Sequence, residues 1–215
     1  MNMRLIKNII LFYFFVIGII FGADTKLSLP ITTVEYATNT LFQVGILDLH
    51  TRTFHSKNKK RIDTVVHNVP QSVIIDYEKQ IATYVWPKTL SYLTIKLNPS
   101  VQEKLKESYE IIYLKKIKSD FIHGFEVDLF KLKIQLNDGT VEESTRWITK
   151  HGVTLKEQGI IDGKEGKIQF YSEFSNVRVF KQDERTFEVP EGYIIAPMDQ
   201  LDDVNELLKL MVKRI

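Results

Sequence analysis

Alternating apolar and polar residues across Ser72–Leu97 predict three short antiparallel strands joined by turns. The predicted strands are Val73–Ile75, Ile81–Trp86 and Ser91–Leu97. They are rich in β-branched and aromatic residues, and polar or proline-containing runs separate them. Because side chains alternate along a strand, Leu93, Ile95 and Leu97 share one face of the third strand. One apolar face and one mixed face are typical of a meander that is buried on one side.

The same kind of pattern predicts strands over most of the remaining chain. A strand at Thr40–Leu49 is expected to continue through Phe54, with Gly45 marking a bulge or bend, before a basic hairpin tip at Lys57–Arg61. Later strands are predicted at Phe125–Leu136, Val141–Thr149, Val153–Ile161, Lys167–Tyr171 and Glu173–Phe180. The apolar phase slips within Phe125–Leu136, which predicts a β-bulge near Leu129–Phe130. Asn137–Gly139 predicts a hairpin turn.

Two helices are predicted outside these strands. Ser100 and Glu103 form a capping-box pattern that predicts a helix over Val101–Ile111, although Ile111–Ile117 fits a strand equally well. Pro197–Ile215 predicts an amphipathic C-terminal helix. Its acidic residues lie at the start and its basic residues at the end, as the helix dipole favours.

The first 22 residues have the composition of a signal peptide. Arg4 and Lys7 form a basic start, Ile9–Phe21 is apolar throughout, and Gly22 provides a small residue for cleavage. The apolar run is shorter than the roughly 18 to 20 residues that span a membrane. We therefore expect a periplasmic mature protein with a single domain at residues 23–215. An uncleaved N-terminal anchor is the alternative, because bulky residues precede the expected cleavage site.

Charge and cysteine content exclude several classes of protein. Removal of Arg4 and Lys7 with the signal peptide lowers the basic count from 29 to 27, which equals the 27 acidic residues. The neutral mature protein lacks the electrostatic footprint of nucleic-acid binding. Because there is no cysteine, neither disulfide bonds nor lipid attachment to a cysteine is expected. Basic clusters at Lys57–Arg61 and Lys115–Lys118 are interpreted as solvated loops or edge strands, or else as contacts for an anionic headgroup or a partner protein.

An ordered set of segments resembles a known protein family. The segments are Ile74–Tyr92 (IIDYEKQIATYVWPKTLSY), Ile122–Val127 (IHGFEV), Trp147–Lys156 (WITKHGVTLK) and Phe187–Tyr193 (FEVPEGY). From Phe42 to Tyr193 the chain resembles an uncharacterised family of exported bacterial proteins. The fold of that family looks like that of the periplasmic lipoprotein carrier and related outer-membrane lipoprotein-sorting proteins.

The resemblance implies a mainly β (α+β) fold. In such a fold a curved antiparallel sheet forms an incomplete β-barrel whose mouth is closed by helices. We expect one or two helices in this chain, including the C-terminal amphipathic helix, which departs from the ending of that family. An apolar cavity between sheet and helices shields acyl chains in the carrier proteins. No residue of this chain matches a known acyl-contact motif, so the resemblance assigns no ligand-contact residue.

The sequence contains no catalytic, nucleotide-binding or zinc-binding motif of the common kinds. Gly163–Lys167 lies between predicted strands and is interpreted as a hairpin turn rather than a phosphate-binding loop. The histidines are scattered, at positions His50, His55, His67, His123 and His151. Zinc needs three or four convergent ligands, which this pattern does not suggest. We therefore expect no enzymatic activity, no metal site and no cofactor.

Strand residues remain as candidates for a ligand cavity. The aromatic candidates are Tyr77, Tyr84, Trp86, Tyr92 and Trp147, each of which core or cross-strand packing explains more simply. Our candidate cavity residues are Val85, Leu93, Ile95, Leu97 and Trp147. A curved sheet has more apolar surface than one helix can cover, and that surface must contact a ligand, a partner or the far side of a barrel.

Two functions follow from this pattern. The first is binding of a hydrophobic ligand, either a lipid or the acyl chains of a lipoprotein, with one of the predicted helices as a lid. The alternative is a non-catalytic protein-interaction or scaffold module of the cell envelope. Such a module would contact an envelope protein through Lys57–Arg61 or through the C-terminal helix.

Overall fold

The computed structural model describes residues 29–196, apart from 46, 67, 98–108, 137–138 and 164–165. Within these ranges the chain is mainly β: its strands form one sheet, and the 3-10 helix Glu184–Phe187 is the helix described. The predicted signal peptide, the predicted C-terminal helix Pro197–Ile215 and most of the predicted helix Val101–Ile111 lie outside the described residues. No helix in the described ranges has the length and apolar character needed to cross a membrane.

In the described part of the chain, twelve strands form the sheet, and the sheet is not closed. The strands are β1 (Tyr36–Val44), β2 (Leu47–His55), β3 (Lys59–Val66), β4 (Val69–Asp76), β5 (Ile81–Trp86), β6 (Ser91–Lys96), β7 (Tyr109–Ile122), β8 (Phe125–Leu136), β9 (Val141–Thr149), β10 (Thr154–Gly163), β11 (Gly166–Val179) and β12 (Ile194–Ile195). Their order across the sheet is β12-β6-β5-β4-β3-β2-β1-β11-β10-β9-β8-β7. The described neighbours are antiparallel, except for the parallel pair of β6 and β12. The edges of the sheet are therefore β7 and β12.

Three predicted strands are confirmed with their bounds, namely β5, β8 and β9. Local turn chemistry explains why their ends were visible in the sequence. At the turn between β8 and β9, the N–H of Leu136 donates to the carbonyl of Thr140 at 2.8 Å, and Gly139 has a φ of 83°. Glycine adopts such a left-handed conformation without steric cost, so the turn is readable from its composition.

The predicted single strand from Thr40 to Phe54 is wrong. Gly45 has a φ of 59°, and the chain reverses there so that Val44 at the end of β1 pairs with Leu47 at the start of β2. A glycine in the left-handed region is what a tight hairpin requires. Apolar residues continue on both sides of this turn, which hides it in the sequence.

The predicted β-bulge near Leu129–Phe130 is wrong for β8 itself, although β7 has a register shift between Lys116 and Lys118, directly opposite these two residues. β8 pairs with β9 without interruption across this position, so Leu129 and Phe130 lie on opposite faces of the sheet. The register shifts lie instead on the neighbouring strand β7, where it pairs with β8. β8 consequently buries Leu129 on one face and Leu132 on the other.

The end of the predicted helix Val101–Ile111 is a strand. Tyr109–Ile122 form β7, so the helix prediction is wrong for its last residues and the alternative strand at Ile111–Ile117 is confirmed. β7 pairs with β8 along its full length. Cross-strand pairing therefore overrides the local helix propensity here.

The segment Phe180–Ala196 crosses one face of the sheet from the end of β11 to β6, and we call it the strap. Polar contacts tie it to β3: the Lys59 ammonium group binds the Glu184 carboxylate at 2.6 Å, and Arg61 donates to the carbonyl of Thr186 at 3.0 Å. The strap includes the 3-10 helix and ends in β12.

Apolar packing holds the middle of the strap in place. Phe187 is buried against Ile74 of β4 and Val85 of β5, with Phe54 and Tyr92 at the margin of the cluster. The predicted turn and edge element at Thr186–Tyr193 is thus a covering segment that leads into the edge strand.

The strand registers divide the side chains between two faces. We call the face beneath the strap the strap face, and the opposite one the buried face. Buried members of the buried face on β1 to β5 include Tyr36, Thr40, Phe42, Thr51, Lys60, Ile62, Ile75, Ala82 and Tyr84. On β8 to β11 they include Leu132, Ile134, Ser144, Arg146, Ile148, Glu157, Phe170 and Ser172.

The sheet bends at the end that carries β7 and β8. His123, in the turn between these strands, forms a 3.0 Å hydrogen bond with Glu173 of β11. Three strand spacings separate β8 from β11, or about 14 Å in a flat sheet. The hairpin of β7 and β8 must therefore curl toward the strap face.

Candidate functional site

The buried face carries an apolar cluster at each of its two sides and both apolar and polar side chains in between. On β4 to β6 and just beyond, Ile75, Ala82, Tyr84 and Leu97 form one cluster. Leu132, Ile134 and Ile148 form another at the opposite side, on β8 and β9. The strands between them carry a band of buried polar side chains, comprising Thr51, Thr64, Ser144, Arg146, Glu157 and Ser172, which alternates with buried apolar residues such as Phe42, Ile62 and Phe170.

An ion cluster lies within the polar band. The Arg146 guanidinium binds Glu142 at 3.0 Å and also binds Glu157, and the hydroxyl of Ser144 donates to Glu142 at 2.7 Å. All four residues are buried. Because charges taken out of water are costly unless they are paired and hydrogen-bonded, these interactions compensate one another.

Lys60 is a second buried charge on this face. It is only 4% exposed, and it points away from its neighbours Lys59 and Arg61 because side chains alternate along β3. No described residue forms an ion pair or a hydrogen bond with its ammonium group. Burial lowers the pKa of Lys60 to about 8, and no carboxylate among the described residues is close enough to offset this effect.

His55 is the cross-strand neighbour of Lys60 on β2, and Tyr36 and Tyr77 lie beyond these neighbours on the same face. His55 on β2 pairs across the sheet with both Lys60 and Tyr36, and its ring stacks on the Tyr36 ring with centroids 5.0 Å apart. Burial, and then the nearby Lys60, lower the pKa of His55 to about 4. Burial raises the pKa of Tyr36, with a smaller effect from Tyr77, whose own pKa is also raised by burial. We call Tyr36, His55, Lys60 and Tyr77 the Lys60 cluster.

The strap face holds a groove of about 830 Å³ beside the bent end of the sheet. Its lining includes the polar side chains Gln43, Lys131, Lys133, Glu143, Gln158 and Gln169 as well as apolar and aromatic residues such as Leu132, Ile160 and Phe170. An acyl chain in this groove would remove these polar groups from water without giving them partners. The groove therefore suits a polar ligand better than a hydrophobic one.

The structure distributes the five candidate cavity residues over separate places. Val85 lies beneath the strap, and Trp147 lies under the Lys156 ammonium group at 5.1 Å on the other half of the sheet. Leu93, Ile95 and Leu97 share the buried face, where Ile95 and Leu97 belong to the apolar cluster of Tyr84. None of the five lines the groove.

The basic run Lys57–Arg61 is not a uniformly solvated tip. Lys57 is exposed in the turn, but Lys59 and Arg61 bind the strap and Lys60 is buried. The burial of Lys60 was not predicted from the sequence, because the run was interpreted as a solvated hairpin tip. The strand alternation of Lys60, Ile62 and Thr64 was the signal that could have placed it.

In the described part of the chain, no three His, Asp or Glu side chains are grouped in a way that could hold a metal ion. The hydrogen bond of His123 leads to Glu173, which also accepts from the hydroxyl of Tyr171. The Lys156 ammonium group also lies near this group, 5.3 Å from the centroid of the Tyr171 ring.

Comparison with known proteins gives a distant similarity of fold. The sequence matches no family model, and no curated protein matches it. Among solved structures, MucB has a TM-score of 0.48 at 12% identity, over 76% of this chain and 60% of the MucB chain. This chain thus spans less than two thirds of the length of MucB.

For two further solved structures, the aligned region covers most of the solved chain. An uncharacterised conserved protein from Thermus thermophilus has a TM-score of 0.52 at 8% identity, over 76% of this chain and 90% of its own. A putative outer membrane lipoprotein-sorting protein domain from Vibrio parahaemolyticus has a TM-score of 0.36 at 10% identity, over 72% and 89%. At these identities the similarity concerns the fold alone.

Proposed function

We propose that this protein is an exported, non-catalytic protein of the bacterial envelope that binds a hydrophobic ligand, a lipid or the acyl chains of a lipoprotein. The ligand lies against the buried face of the sheet. The observation that carries this proposal is an open sheet that directs most of its large apolar side chains to one face. The targeting signal at residues 1–22 supports export.

The driving force for binding is the removal of apolar surface from water. Each methylene group of an acyl chain that becomes buried contributes about 0.8 kcal/mol. The core residues of the clusters around Tyr84 and around Leu132 are already buried, so an acyl chain would contact mainly their half-buried neighbours, such as Ile95 and Leu136, and not the charged Arg146 cluster. We therefore place the acyl chain on one of the apolar sides rather than across the polar band.

A fluorescent fatty acid titrated into the mature protein tests the proposal. We expect saturable binding with one site per chain. Leu93→Gln places an amide on the buried face and should weaken binding about tenfold, because a polar group without a partner there is costly. Thr94→Gln is the matched control, since Thr94 is the next residue of β6 and is exposed on the other face. Absence of saturable binding by the wild type would rule the proposal out.

A second function is favoured by the edge strand β7. Ile112, Ile117 and Phe121 are 46%, 42% and 73% exposed on this strand, and no described strand pairs with its outer edge. Exposed apolar side chains on an open edge are typical of sites where a partner strand is added. If β7 is a docking edge for an envelope protein, a photo-crosslinker at Ile117 should give a discrete product in cells. The same group at Val65, which is exposed on β3, should give none.

A further inference from the structure

The buried ammonium group of Lys60 has no counter-charge within the described residues. Lys59 and Arg61 on the same strand both have acceptors, Glu184 and Asp63 respectively, at 2.6 Å and 2.7 Å. Lys60 differs from them because it alone of the three faces the buried side of β3. A buried charge that lacks a partner is rare in proteins and calls for a specific reason.

The neighbours of Lys60 do not supply that partner. His55 faces it from β2, Ile75 faces it from β4, and Tyr36 stacks on His55 from β1. These side chains are uncharged at neutral pH, so Lys60 provides the only formal charge of the Lys60 cluster. The Arg146 ion cluster is five strands away in the sheet order and is internally paired.

The chemistry of the Lys60 cluster is that of a hydrogen-bond donor site. The ammonium group has three donors and no acceptor, and the phenol groups of Tyr36 and Tyr77 can each donate. Such a set is complementary to an anionic oxygen group, and charge-assisted hydrogen bonds of this kind are about twice as strong as neutral ones. The cluster adjoins the apolar patch formed by Ile75 and Tyr84.

We propose that the Lys60 ammonium group binds the anionic headgroup, a carboxylate or a phosphate, of an amphiphilic ligand whose apolar chain lies on the Tyr84 side of the buried face. This inference rests on the proposed function and makes it more specific. It names the ligand class as an anionic amphiphile and assigns the ligand an orientation. The headgroup supplies the charge that Lys60 lacks.

The test compares three radiolabelled probes with the same acyl chain in equilibrium dialysis: oleate, 1-oleoyl lysophosphatidate and oleyl alcohol. We expect the wild-type mature protein to bind at least one of the anions at least tenfold more tightly than the alcohol. Lys60→Met should weaken binding of that anion by about 10- to 100-fold and leave the alcohol unchanged. Lys59→Met is the matched control, since it removes the same charge from the opposite face and should change neither.

The outcomes separate the two proposals. If the wild type binds none of the probes, the proposed function fails and this inference fails with it. If the wild type binds oleyl alcohol as tightly as both anions, or if Lys60→Met retains full affinity for the anions, the headgroup inference is overturned while hydrophobic binding stands. Equal affinity of the wild type for the alcohol and the anions overturns the inference even if the variant does not fold. The preferred anion distinguishes a carboxylate from a phosphate headgroup.

Discussion

Replacing Lys60 with methionine should make the protein more stable, although it removes a charged residue. Burial lowers the pKa of Lys60 from 10.5 to about 8. Since one pKa unit corresponds to about 1.4 kcal/mol, keeping this lysine protonated in the folded protein costs about 3 kcal/mol at neutral pH. Methionine has a similar length and no charge, so Lys60→Met should raise the free energy of unfolding by about 2 to 3 kcal/mol at pH 7.

The pH dependence of stability gives this prediction a second readout. The folded pKa of Lys60 lies below its unfolded value, so unfolding takes up a proton between about pH 8 and pH 10.5. The stability of the wild type must therefore rise with pH across this window, relative to the variant. Consequently the advantage of Lys60→Met should be complete below pH 8 and should disappear toward pH 10.5.

Urea denaturation of the ligand-free protein at pH 7 and at pH 10, followed by tryptophan fluorescence, measures both effects. Lys59→Met is the control, and we expect it to lower stability by no more than about 1 kcal/mol, because an ion pair near the surface contributes little. A Lys60→Met variant that is less stable than the wild type at pH 7 would refute the reasoning. It would mean that Lys60 already has a favourable partner in the folded protein.

Three other substitutions test the account. The folded pKa of His55 lies below its unfolded value, so the wild type should lose about 3 kcal/mol of stability as pH falls from 6.5 to about 4. His55→Phe keeps the stacked ring and should abolish this loss, which denaturation midpoints at pH 7 and pH 4 measure. Gly152→Ala should be far more destabilising than Gly139→Ala, although both glycines have similar positive φ. Only at Gly152 would the added methyl overlap the backbone that precedes β1. Equal melting temperatures of the two variants would contradict the described packing. Arg146→Met leaves two carboxylates buried without their cation and should lower the free energy of unfolding, measured by urea denaturation, by about 3 to 5 kcal/mol. Lys133→Met, at an exposed ion pair, should lower it by less than about 1 kcal/mol. Similar losses for the two variants would show that the Arg146 cluster is solvated.

Short-range patterns explain which parts of the fold could be predicted from the sequence. β5, β8 and β9 are flanked by turn residues, and their β-branched and aromatic residues favour extended backbone, so their bounds were readable. The hairpin at Gly45 was not readable because apolar residues continue through it. The continuous register at Leu129 was equally hidden, since its cause is pairing with β9.

The candidate site depends on contacts that no local pattern encodes. The strap places Phe187 over Val85, which converts a predicted cavity residue into a packed one. Tyr36 and Lys60 are brought together by β2, which pairs with both of their strands. The side of the sheet that each residue faces follows from alternation, but the neighbours that it meets there follow from the strand order.

The most direct test of the central claim is native mass spectrometry of the mature protein, purified without detergent from the envelope of the cells that produce it, with lipid extraction of the same sample. We expect a stoichiometric adduct whose extracted component has an acyl chain and an anionic headgroup. A single mass equal to that of the bare polypeptide, unchanged after incubation with oleate and lysophosphatidate, would contradict ligand binding on the buried face and would leave the edge strand β7 as the functional surface.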